Sequence, residues 1–234
     1  MPLLRCALFF LTLLAPACST PRGGTGVTRS ECLAIGEQYR THRWVPTAAN
    51  ILHGTDPDGI TVDTPDTTYQ IPGAVPGRWV PGAVNEGIPY QWGGFATPEQ
   101  FDRDLASGKA AGDVYTQKKR QLLDDAVSRY ATGIDCSGFI SRCWRLPRSH
   151  STREFPGICD PLPSWDDLRP GDILNTYNSH ACLFAGWLDP SHARLLAYET
   201  GVPPHWLVVR HALTVSELKA KGFAPFRYRG IREG

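Results

Sequence analysis

The 234-residue chain carries 24 Lys and Arg against 23 Asp and Glu, a formal net charge of +1. So even a balance offers no electrostatic footprint for nucleic acid or for an anionic membrane surface, and both partner classes are set aside. The length suits one domain with an appendage, large enough to bury a core without help from disulfides.

Residues 1–18 read as a secretory signal. Arg5 supplies a positive start, Cys6 to Ala15 is an almost unbroken apolar run, and Ala15-Pro16-Ala17-Cys18 offers a small-residue cleavage site. The run is too short to span a bilayer as a mature helix. The layout implies export to the periplasm or cell envelope. Leu14 to Cys18 also resembles a bacterial lipobox, from which Ala15 and Pro16 depart. That resemblance implies a membrane link only through a lipid on Cys18, and plain cleavage stands beside it as the alternative. Residues 19–30 follow as a polar, Gly-rich linker. Five cysteines remain beyond the signal: Cys32, Cys136, Cys143, Cys159 and Cys182. An odd number leaves at least one thiol unpaired within the chain. With no Cys-x-x-Cys pair and no His pair at zinc-finger spacing, no structural metal site is expected.

Glu31 to Trp44 predicts a short amphipathic helix with Cys32, Ile35 and Tyr39 on one side. Thr55 to Pro89, dense in Pro, Gly, Asp and Thr, predicts turns and short edge strands laid over a surface. Residues 31–84 are thus expected to be an N-terminal helix and surface segment ahead of a main unit at 85–234. Phe101 to Tyr130 is helical in composition, most clearly over Gln117 to Tyr130, where Leu122, Leu123, Ala126 and Val127 mark the apolar side. Asp135 to Trp144 predicts another helix, and Asp166 to Asp172 a turn. After it the period becomes two, with strands expected at His180 to Leu188, Ala193 to Thr200, Trp206 to His211 and Phe226 to Ile231. Helices followed by a run of strands predict an α+β fold with an antiparallel sheet.

Chemistry concentrates at Ile134-Asp135-Cys136-Ser137-Gly138-Phe139. Asp135 suits an N-cap, leaving the free N–H groups of the next turn directed at the Cys136 thiol. The partial positive charge of a helix N-terminus favours thiolate and creates a nucleophile near neutral pH. The ordinary alternative is a buried structural cysteine. A thiolate nucleophile needs an imidazole from a separate rigid element. Pro170-Gly171-Asp172 leads into Ser179-His180-Ala181, and His180 opens a strand. His211, ending a strand, is the rival base; the other histidines fall in loops, turns or the N-terminal helix.

Gly133 to Phe139, followed by Pro170-Gly171-Asp172 and His180, resembles the NlpC-type cell-wall cysteine peptidases, a papain-like family. Pro89-Tyr90-Gln91-Trp92-Gly93-Gly94 matches the aromatic-Gly-Gly block that precedes the nucleophile in that family. The resemblance implies a helix carrying Cys136 packed on an antiparallel sheet carrying His180. It implies hydrolysis of peptide bonds in peptidoglycan stems, commonly the γ-D-glutamyl–diamino-acid bond, with no metal or cofactor. Tyr90 would then approach the thiol and help stabilise the oxyanion, and Asp135 and Ser137 would hold the substrate's free amine. Ordinary packing is the competing reading for Tyr90 and the preferred one for Trp92. Two departures stand out. About forty residues separate Gly94 from Asp135, an insert at about 97–131 that is expected to form a lid or specificity wall. Relatives also place His, Asn or Gln on the strand after the base, and no such residue matches here.

Glu199 is the substitute that strand geometry suggests. Pairing Leu188 with Ala193 across Asp189-Pro190-Ser191-His192 sets Glu199 opposite Cys182, on His180's face. A slip of one residue would turn it to the other face. The leading expectation is therefore a thiolate–imidazole hydrolase with Cys136, His180, Glu199 and Tyr90 as its working groups. An amidase or acyltransferase using the same pair, or a silent wall-binding module, are the alternatives.

Overall fold

The computed structural model describes residues 26–69 and 76–233, so the signal-like segment and Cys18 lie outside the described residues. The fold is α+β. Helix α1 (Arg29–Thr41) starts where Thr28 accepts a hydrogen bond from the Glu31 N–H while the Glu31 carboxylate accepts one from the Thr28 N–H. This reciprocal cap starts the helix two residues before the sequence reading. It also shortens the expected linker, because Val27–Thr28 pairs in parallel with Ile231–Arg232. The helix stops at Thr41 rather than Trp44, since Arg43–Trp44 turns to pair with Asn85–Glu86. Helices α2 (Pro98–Ala106), α3 (Gln117–Leu122) and α4 (Cys136–Cys143) follow, and α5 (Val215–Ala220) lies near the end of the chain.

The sheet contains β1 (Cys159–Pro161), β2 (Ile173–Thr176), β3 (His180–Trp187), β4 (Arg194–Glu199), β5 (Val209–Thr214) and β6 (Ala224–Tyr228). Its order is β5-β4-β3-β2-β6-β1, with antiparallel pairing throughout. Strand alternation divides the interior in two. Ala181, Leu183 and Tyr198 join Phe139, Ile140 and Cys143 of α4 and Cys32 and Tyr39 of α1 in the larger core. Cys182, Phe184, Leu195 and Ala197 face Leu218 of α5 in the smaller one.

The β3–β4 hairpin holds a β-bulge. Leu183 pairs with Tyr198 and Phe184 with Ala197, but Gly186 pairs with Leu196, leaving Ala185 as an extra residue. Beyond the bulge the turn is in a different register from the one expected, with the Leu188 N–H donating to Arg194 O rather than pairing Leu188 with Ala193. The bulge restores the frame, and the Leu183–Tyr198 pair, continued by one residue, sets Glu199 opposite Cys182 at the site end. Without it Glu199 would oppose Leu183 and point into the other core.

Three further expectations change. Residues 55–89 are not merely laid over a surface: Val62, Tyr69 and Trp79 are buried, and Trp79 meets Trp44 with ring centroids 5.5 Å apart. The stretch 97–131 is likewise integral. Phe101 packs edge-on against Trp44 at 5.1 Å, and Ala110–Ala111 pairs with Ala131–Thr132. Within it the helix covers only Gln117–Leu122, because Leu123 adopts a φ of 54° and a 3₁₀ turn follows at Leu123–Ala126. The inward face belongs to Lys119, whose ammonium is held by the Asp113 carboxylate and the Val114 carbonyl. Leu122 and Leu123 are left exposed. The third predicted strand also moves, to Val209–Thr214. Trp206 donates no rung to it; its carbonyl accepts from the Tyr90 N–H at 2.7 Å, and Leu207 bridges Pro89. Among the described residues, no helix is long and apolar enough to cross a membrane.

Candidate active site

Cys136 opens α4, and its position is fixed by the chain around it. The Asp135 N–H donates to Gly94 O at 3.0 Å and the Ile134 N–H to Pro89 O at 3.0 Å. The Pro89–Gly94 block therefore runs beside the approach to the helix. Gly138 is needed at this crossing: a Cβ there would stand 2.4 Å from Gly94 O. The small residues of both motifs thus serve backbone-to-backbone approach.

Asp135 caps the helix, its Oδ1 accepting from the Gly138 N–H at 2.5 Å and from the Ser137 hydroxyl at 3.0 Å. Burial raises the Asp135 carboxyl from its ordinary 3.8 to about 6, against the pull of those donors. A cationic group arriving beside it would gain a partner and lower it again.

His180 stands at the start of β3 and Glu199 at the end of β4. The His180 Nε2–H donates to Glu199 Oε2 at 2.7 Å. A carboxylate can only accept, so this bond engages Nε2–H and leaves Nδ1 for the thiol side. Burial opposes a charged imidazole here, but Cys136 beside it, by charge and hydrogen bonding, together with Glu199 outweighs that cost and raises His180 from 6.5 to about 10. Glu199 is buried as well. Desolvation would raise its carboxyl, yet hydrogen bonds from His180 and His211 win and lower it from 4.5 to about 2.

A cavity of about 290 Å³ collects Tyr90, Asp135, Cys136, Ser137 and His180 on its lining, with Glu199 one hydrogen bond behind. Tyr90 is buried; its ring packs against Trp206 at 5.7 Å and Tyr115 at 5.9 Å. Burial, then the neighbouring Cys136 and Asp135, push its hydroxyl well above its ordinary range, so it stays a neutral donor. Trp92 packs against the cluster around Tyr90, as expected, and where it lines the cavity its indole N–H donates to Leu123 O at 3.1 Å.

The sequence reading did not identify several lining groups. Tyr115, Arg120 and Asp124 come from the stretch expected to form a wall, and Arg120 lies over the Tyr115 ring at 4.5 Å. Ser151, Thr152 and Arg153, and Asn178 with Ser179, come from loops whose composition carried no signal. His211, weighed as a rival base, instead donates from β5 to the second oxygen of Glu199.

Cys143 and Cys182 are fully buried, and burial pushes both thiols well above their ordinary range. The chain matches no family model, no curated protein and no solved structure.

Proposed function

We propose that the chain is a papain-like cysteine peptidase of the NlpC type, acting on the stem peptides of peptidoglycan. The observation that carries the reading is the buried Glu199–His180 hydrogen bond, which holds an imidazole with its other nitrogen toward a thiol at a helix N-terminus. In this reading the Cys136 proton already resides on His180, and the thiolate attacks the amide carbonyl. The helix N-terminus and the Tyr90 hydroxyl stabilise the oxyanion. The imidazolium then protonates the departing amine, leaving an acyl-enzyme. Water, deprotonated by His180, releases the acid and regenerates the thiol. Asp135, with Ser137, receives the substrate's free amine, and the γ-D-glutamyl–diamino-acid bond is the proposed scissile bond. The wall around Tyr115 and Arg120 bounds the groove. No cofactor enters any step.

The reading includes export through residues 1–18, with Cys18 as the site of any lipid anchor. The test incubates residues 19–234 with purified muropeptides and follows the products by mass. Cleavage by wild type and none by Cys136→Ala is expected. Intact muropeptides, or cleavage surviving Cys136→Ala, would overturn the assignment.

A further inference from the structure

Glu199 ends β4 with its side chain almost wholly buried, yet its carboxylate has two oxygens to satisfy. One accepts from His180 on β3. The other accepts from the Nε2–H of His211 on β5, the strand at the sheet edge. The register explains how three strands supply one chain of side chains. Glu199 pairs with Val209 and Ala197 with His211, so His211 lies two residues from the rung of Glu199 and on the same face. That diagonal spacing is within reach of a long side chain.

We infer that His211 is a positioning residue, which clamps the free oxygen of Glu199 so that the carboxylate keeps its other oxygen on His180. This rests on the reading of Cys136 and His180 as the reacting pair. A carboxylate held at one oxygen only can rotate about its last bond or draw in water, and either weakens the hold on the imidazole. Held at both, it presents a fixed acceptor while the proton passes between Cys136 and His180 Nδ1. His211 is not among the residues that line the cavity and its ring bonds Glu199, so it acts through that carboxylate. The assignment also accounts for an imidazole on an edge strand with its ring nitrogen turned inward rather than to solvent.

The test is the rate at which iodoacetamide alkylates Cys136 near neutral pH, in the full-length mature chain. His211→Phe should slow it by about ten- to a hundredfold, the range for losing a hydrogen bond to a charged group. His211→Gln, which keeps an N–H at similar reach, should restore most of it. In a Glu199→Gln background His211→Phe should cost little more, since the partner it acts through is gone. Where His211→Phe does not fold, His211→Thr, a good strand former too short to bridge, supplies the same comparison. Equal rates in wild type and the His211 variants, or an equal slowing in both backgrounds, would overturn the inference. Alkylation needs no peptide, so a failure to cleave muropeptides would sink the proposed reaction and leave this result to stand or fall separately.

Discussion

Glu199 is where single residues matter most after the thiol itself. Its replacement by Ala should cut turnover by on the order of ten- to ten-thousand-fold, the range for a base that loses its orienting partner. Glu199→Gln should lose less, because the amide oxygen still accepts from His180; steady-state rates on one substrate compare the two. The contacts of His180 with Cys136 and then Glu199 predict a pH dependence of stability. His180 is raised from 6.5 to about 10, so its contribution is complete below 6.5 and is lost as pH rises through 10. Glu199 is lowered from 4.5 to about 2, so its contribution holds above 4.5 and is lost as pH falls toward 2. Asp135, raised from 3.8 to about 6, runs the other way and favours the folded state below that window. The melting temperature of wild type should therefore fall between pH 6.5 and 10, and Cys136→Ala should flatten that limb more than Glu199→Gln does. A wild-type curve level across that range would contradict the coupling.

Among the elements, α4 depends on close approach. Gly138→Ala gains helix propensity worth up to about 1 kcal/mol. The added Cβ, however, meets Gly94 O at 2.4 Å, and overpacking typically costs about 1–3 kcal/mol. A net loss in denaturant stability is expected, with slower thiol alkylation as the first turn tilts; a stabilised variant would show that the crossing can relax. The motif Cys136-Ser137-Gly138 was legible because capping and close packing are local demands written in adjacent residues. The α3 region was not. Its Leu122 and Leu123 look apolar and inward in sequence, but a buried Lys119–Asp113 pair chooses the inward face, and nothing in the helical period announces Asp113. Glu199 was placed on the right face from a turn register that the structure does not have. The bulge at Ala185 supplied the missing step, and a single extra residue inside an apolar run leaves no mark in an alternating pattern.

The whole molecule is closed by a carboxylate of the Pro170-Gly171-Asp172 motif. Asp172 is fully buried and meets Arg29 of α1 at 3.0 Å and Arg227 of β6 at 2.7 Å. Arg29 in turn reaches Glu233 at 3.0 Å, so the start of α1, the turn before β2 and the last strand share one ionic junction. Asp172→Ala leaves two arginines without it and should cost about 3–5 kcal/mol in a denaturant titration. In the folded fraction the Cys136 alkylation rate should be unchanged, since Asp172 does not line the cavity. A lost rate with unchanged stability would move Asp172 into the site. The α+β class and the main helix and strands followed from the sequence; this junction joins residues far apart along the chain, which is why the first segment read as an appendage.

The bulge at Ala185 also bears on how such a chain can change over time. It lies between the hairpin tip and the site, so a codon lost or gained at the tip can be absorbed there. Deleting Ala185 should flatten β3 while leaving both halves of the hairpin paired as they are, with Cys136 alkylation preserved. Deleting Leu183, on the site side, should set His180 out of step with Glu199 and silence the thiol. Descendants of this sequence are thus free to lengthen or trim the Asp189–His192 tip, while one lost codon a few positions upstream parts His180 from Glu199.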